Sequence, residues 1–110
     1  MTNSFLSDTF TALADPTRRA VFEAVFLAPA AVGDLAKDLP VSRPAVSQHL
    51  KVLSDAGLVT ARAEGTRRVY SIRREGLEEL RTWLDSFWDD VLAGFAEEIK
   101  RQEEGDSDHD

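Results

Sequence analysis

"SRPAVSQHLKVLSDAGLV", from Ser42 to Val59, is the stretch that decides the fold. Its apolar residues recur at helical spacing. On a helical wheel Val46, Leu50 and Leu53 cluster within about 60°, while Pro44, Ser47, Gln48, Lys51 and Asp55 share the opposite face. Ser42 is a favoured N-cap, Pro44 is tolerated in a first turn, and Gly57 after Ala56 is the residue type that terminates helices. One face is therefore made for burial, and the other offers short polar side chains with bases beside them.

Upstream, "AVGDLAKDLPVS" (31–42) reads as a short helix with Val32, Leu35, Ala36 and Leu39 inward, ended by Pro40. Only "PVS" separates it from the next helix, and two helices joined so tightly form a helix-turn-helix. Downstream, "LVTARAEGTRRVYSI" (58–72) changes to a period of two: Val59, Ala61 and Ala63 alternate with Thr60, Arg62 and Glu64. Gly65 opening the two-residue turn Gly65-Thr66 suits a type II′ hairpin. A hairpin directly after a helix-turn-helix is a wing. Further out, "ADPTRRAVFEAVFLAP" (14–29) starts a helix at Asp15-Pro16, buries a stripe of Val21, Phe22, Val25 and Phe26, and stops at Pro29. "FLSDTFTAL" (5–13) is a short amphipathic helix. From about Glu75 to Glu104 a long helix carries a wide apolar face, more than one small domain covers. The expected fold is mainly α with a small β-hairpin, in the order α-α-α-α-β-β-α. Residues 1–104 form one domain, and "GDSDHD" (105–110) is an acidic disordered tail.

The chain of 110 residues has net charge −7, an average that hides segregation. Residues 42–74 hold seven basic and two acidic side chains, net +5, whereas residues 75–110 are net −10. Screening acts over roughly 8 Å at physiological salt, so a distant acidic helix need not cancel a basic reading face. Gln48 can hydrogen-bond an adenine bidentately, Ser47 can pair with several base edges, and Arg43 and Lys51 can hold phosphates. The plainer alternative for this face is solvation alone. Arg62, Arg67 and Arg68 surround the hairpin tip, where arginines enter a minor groove or straddle phosphates. Protection of an exposed edge is the alternative there, but either sign of charge would provide it.

"FTALADPTRRAVFEAV", "VGDLAKDLPVSRPAVSQHLKVLSDAGLV" and "RAEGTRRVYSI" resemble the ArsR/SmtB family of bacterial winged-helix repressors from about Phe10 to Ile72. The resemblance implies a homodimer whose first and last helices form the interface, and two recognition helices in successive major grooves. Phe5, Leu6, Phe10, Leu84, Phe87, Trp88, Val91, Leu92 and Phe95 are the interface candidates. It further implies that Ser47 and Gln48 read bases, that His49 contacts the backbone, and that the Gly65–Arg68 tip, with Thr66 between, touches the minor groove. Two-fold symmetry then implies a palindromic operator in double-stranded DNA. Metal-sensing members carry Cys in the helix matching Val32–Leu39, or Asp/His pairs on the last helix. This chain has no Cys, and the last helix has acids but no His, so no metal or other cofactor is expected. Whether an effector exists does not carry over.

Several residues keep two readings. His49 lies beside Ala45, Val52 and Ala56 on the wheel, so an edge-of-core role competes with a DNA contact. Trp83 and Trp88 are core or interface anchors, or walls of a pocket between protomers. Asp15, Arg18 and Arg19 cap and brace the second helix, with pairing to the acidic last helix of a second protomer as the alternative for the arginines. Asp85, Asp89 and Asp90 lack a surrounding His, Ser or Lys set, so they read as a solvated face rather than catalytic acids. No nucleophile–base set, phosphate loop or cofactor motif indicates an enzyme. No signal-peptide pattern or membrane-length apolar run appears, and the expected location is the cytoplasm. The rival to a DNA-binding repressor is a winged helix that uses its last helix on another protein and leaves DNA untouched. A stable homodimer in solution favours the first, a monomer the second.

Overall fold

The computed structural model describes residues 4–107. Its elements are α1 (Ser4–Ala14), α2 (Pro16–Leu27), α3 (Val32–Asp38), α4 (Arg43–Asp55), β1 (Val59–Glu64), β2 (Arg67–Ile72) and α5 (Arg74–Ser107). The order is the winged helix-turn-helix order read from the sequence. The chain divides between Leu77 and Glu78 into two compact units.

Capping sets the helix ends in the first unit. Asp15 is the N-cap of α2, and its Oδ2 accepts from the Arg18 amide at 2.8 Å. That bond outweighs desolvation and, with the Arg18 and His49 charges, holds the Asp15 carboxyl below the usual aspartate range. The Arg18 guanidinium reaches back to the carbonyls of Ala12 (2.6 Å) and Thr11 (3.1 Å), tying the end of α1 to α2. Ser42 Oγ accepts from the Ala45 amide at 3.3 Å and caps α4. At the other end of α4, Gly57 takes φ +80°. Gly57 donates to the Ser54 carbonyl (2.9 Å) and Leu58 to the Leu53 carbonyl (3.0 Å), the paired bonds of a Schellman motif.

These ends place α2, α3 and α4 around one core of Val21, Val25, Leu35, Val46, Leu50 and Leu53, joined by Ala12, Leu58 and Val59. One expectation fails at its margin. Phe26, assigned to the buried stripe of α2, is 62% exposed, and Phe22 only packs against the core from its edge. Phe26 lies roughly 140° round the helix from Val21, outside the strip that its neighbours cover. In α1 the inward positions belong to small residues: Thr9 and Ala12 are buried, while Phe10 is 46% exposed.

The wing pairs antiparallel from Val59↔Ile72 to Glu64↔Arg67, leaving Gly65-Thr66 as the turn. Gly65 has φ +65°, and among the described residues no non-glycine takes positive φ, as a type II′ turn requires. A further link was not visible in the sequence. Ala30, in the loop between α2 and α3, bridges Tyr70, with amide–carbonyl bonds of 3.0 and 2.8 Å. The base of the wing is thereby attached to the loop that leads into α3.

The first turn of α5 closes on the α4 terminus. Gly76 is buried there, and a Cβ on it would run into the Gly57 carbonyl oxygen. Arg73, one of the seven basic side chains of residues 42–74, instead donates to that Gly57 carbonyl at 3.3 Å and is half-buried. It serves the chain's own backbone.

The second unit is the rest of α5. Trp83, Leu84, Phe87, Trp88, Val91, Leu92, Phe95 and Ile99 are all exposed, so neither tryptophan belongs to a core of the single chain. Trp83 and Phe87 stack with ring centroids 6.0 Å apart. The helix runs past Glu104 to Ser107, three residues into the segment read as tail; the remainder, 108–110, lies outside the described residues. No helix among the described residues is long and apolar enough to cross a membrane.

Candidate nucleic-acid interface

The buried face of α4 fixes what its other face presents. With Val46, Leu50 and Leu53 inward, Arg43, Pro44, Ser47, Gln48 and Lys51 stand exposed on one side. His49 is half-buried, and its charge is felt at Asp15, so it sits on the flank of α4 nearer α2. On the wing, Arg62, Gly65, Thr66, Arg67 and Arg68 are all exposed.

The bases come together in a cleft of about 600 Å³ between α3, the start of α4 and β2. Arg43 and Ser47 line it from α4, Arg67, Arg68 and Tyr70 from β2, and Gly33, Asp34 and Lys37 from α3. Four cations therefore face a single carboxylate. Arg43 can lie there because residue 33 is glycine: its Nη2 is 3.0 Å from where a Cβ would stand. Ser47 joins the cleft to the exposed polar face of α4.

Three expected phosphate ligands are engaged in the free chain. Lys51 pairs with Asp55 at 3.1 Å, Arg62 with Glu64 at 3.5 Å, and Arg67 with Asp34 of α3. Among the described residues Arg43 and Arg68 have no ion pair. The sequence reading missed Gly33, Asp34 and Lys37. The Asp34–Arg67 pair spans 33 positions, and no local spacing signals it. Only the net positive charge of 42–74 hinted that the bases would converge.

The interface candidates divide. Phe10, Leu84, Phe87, Trp88, Val91, Leu92 and Phe95 are exposed; Phe5 and Leu6 are half-buried. The Phe5 ring lies against Gly57 and Gly76, so much of its surface is used within the chain.

Comparison with known proteins agrees with this geometry. Residues 13–62, from the end of α1 into β1, match the helix-turn-helix domain family model. The HTH-type transcriptional regulator Rv2034 of Mycobacterium tuberculosis is 60% identical over 95 residues, 86% of this chain and 87% of that one. Among solved structures, an ArsR-like transcriptional regulator from Rhodococcus sp. RHA1 superposes with a TM-score of 0.70 at 33% identity, over 84% of this chain and 90% of its own. A homodimeric winged helix-turn-helix DNA-binding domain from Mycobacterium bovis, described as a possible ArsR-family regulator, gives 0.65 at 28% identity, over 81% and 82%.

Proposed function

The chain belongs to the ArsR family of winged helix-turn-helix transcriptional regulators, and from that premise we propose that it is a homodimeric repressor binding a palindromic operator in double-stranded DNA. The exposed polar face of α4 enters the major groove, with Ser47 and Gln48 at base edges. Arg43 and Lys51 hold phosphates. Arg62, Arg67 and Arg68 of the wing meet the flanking backbone and minor groove. A second copy repeats these contacts about one helical turn away. The bound dimer excludes other proteins from that stretch, which is repression by occupancy. The protein works in the cytoplasm, where the DNA is.

The observation that carries the reading is the cleft, where bases from α3, α4 and β2 converge beside the uncharged hydrogen-bonding face of α4. Convergent cations with adjacent amide and hydroxyl groups suit a polyanion that also presents base edges. Homodimerisation of the related M. bovis domain supports the two-fold arrangement.

The test is binding of the full chain to the region upstream of its own gene, titrated against salt and random-sequence competitor. Binding survives competitor, and its logarithm falls linearly with that of salt concentration. Replacing Arg67 and Arg68 by Ala weakens binding to every sequence and lowers that slope by roughly one for each phosphate no longer neutralised. A monomer in light scattering with no preference among duplexes returns the chain to the protein-interaction reading.

A further inference from the structure

Lys51–Asp55, Arg62–Glu64, Arg81–Asp85 and Glu98–Arg101 are ion pairs between residues two to four positions apart. Asp34–Arg67 is of another kind, since it joins α3 to the wing across 33 positions. Asp34 is also the one acidic side chain lining the cleft, in the company of Lys37, Arg43, Arg67 and Arg68. A surface built to receive a polyanion thus holds an anion of its own, paired to a residue expected to grip DNA.

We propose that Asp34 is an internal stand-in for a DNA backbone phosphate, which holds Arg67 at the mouth of the cleft in the free protein and is exchanged for a phosphate when DNA docks. The inference rests on the DNA-binding reading above. A carboxylate and a phosphodiester present similar pairs of acceptor oxygens to a guanidinium, so Arg67 changes partner without changing its own geometry. Both side chains of the pair are more than half exposed, 58% for Arg67 and 52% for Asp34, and a pair this wet is weakly held. Among the described residues Arg43 and Arg68 remain without carboxylate partners, so the cleft still attracts an incoming strand. An arriving phosphate brings a release of counterions that Asp34 cannot match. The exchange keeps Arg67 pre-oriented, but breaking the pair costs more than that gains, and the difference is subtracted from binding to every duplex, the operator included. Base contacts then decide how far the operator stands above other duplexes.

The experiment measures affinity of the full-length protein for mixed-sequence duplex DNA over a salt series. It compares wild type, Asp34→Asn, Asp38→Asn, Arg67→Ala and the Asp34→Asn/Arg67→Ala double variant. Asp38 is an exposed acid on the same short helix and controls for loss of charge alone. Asp34→Asn tightens non-specific binding about two- to fivefold, the range set by surface ion pairs, and steepens its salt dependence. Asp38→Asn has a smaller effect. With Arg67 already Ala, the gain from Asp34→Asn shrinks to the Asp38→Asn level. An unchanged or weaker Asp34→Asn protein overturns the proposal, because the Asp34–Arg67 pair would then set no net cost on a docking phosphate. An equal gain with and without Arg67 also overturns it, because Asp34 would be a bystander charge. If the wild-type protein binds no DNA, the repressor reading falls first and takes this one with it.

Discussion

At the scale of single residues, function separates according to what each side chain touches. Arg67, Arg68 and Arg73 lie within seven positions of one another and carry the same charge. Arg67 pairs across the cleft, Arg68 lines it without an ion pair, and Arg73 turns to the Gly57 carbonyl. Counting charge cannot make that distinction; only the identity of neighbours does. Gln48 is exposed beside Ser47 on the polar face of α4, and it tests base reading most cleanly because it brings no charge. Gln48→Ala is expected to remove about 1–3 kcal/mol of discrimination at one base position while leaving non-specific affinity intact. Binding to a set of operators with single base-pair changes measures this. Equal weakening of every duplex would show that Gln48 acts on the backbone or on the fold.

At the scale of elements, the helix-turn-helix and wing were legible because their signals are local. Asp15-Pro16, Ser42, Gly57 and the Gly65-Thr66 turn each act within a few residues, and each does in the structure what its residue type favours. Wheel angles alone did not decide what is covered. Val25 is buried but Phe26 is not, since the elements that pack on α2, which are α1, α4 and β2, leave the side of Phe26 uncovered. The closure of α5 onto α4 was illegible, because Gly57 and Gly76 meet through tertiary packing. Gly76→Ala is expected to destabilise the protein by roughly 1–3 kcal/mol, the range for forcing an extra carbon into a filled space. Urea or thermal unfolding followed by circular dichroism checks it. A neutral result would mean that the first turn of α5 moves away from the Gly57 carbonyl at little cost.

At the scale of the whole molecule, two surfaces ask for partners. The reading face asks for a polyanion; α5 asks for apolar cover. Its exposed residues include Phe87, Leu92 and Phe95, at 54%, 60% and 66%. Burying one such side chain contributes about 1.5–3 kcal/mol, so several together are enough to hold the two copies of the proposed dimer. Phe87→Glu with Leu92→Glu is expected to give a soluble monomer by light scattering. Its affinity for a two-half-site operator should fall far more than its affinity for one half-site. A variant that remains dimeric would move the interface off this face. Net charge belongs to this scale as well. The −7 of the chain described the average and concealed a +5 segment, residues 42–74, that holds α4 and the wing.

The sequence by itself determined the order of elements, the helix ends, the hairpin turn and which face of α4 is free. Each of these follows from interactions within a turn or two of helix or across one tight turn, where side-chain type and spacing act directly. Tertiary structure alone decided that Ala30 pairs with Tyr70, that Gly76 closes on Gly57, and that Asp34 meets Arg67. Those contacts join residues far apart along the chain, and their formation depends on how the packed core brings separate elements together. No local pattern records that.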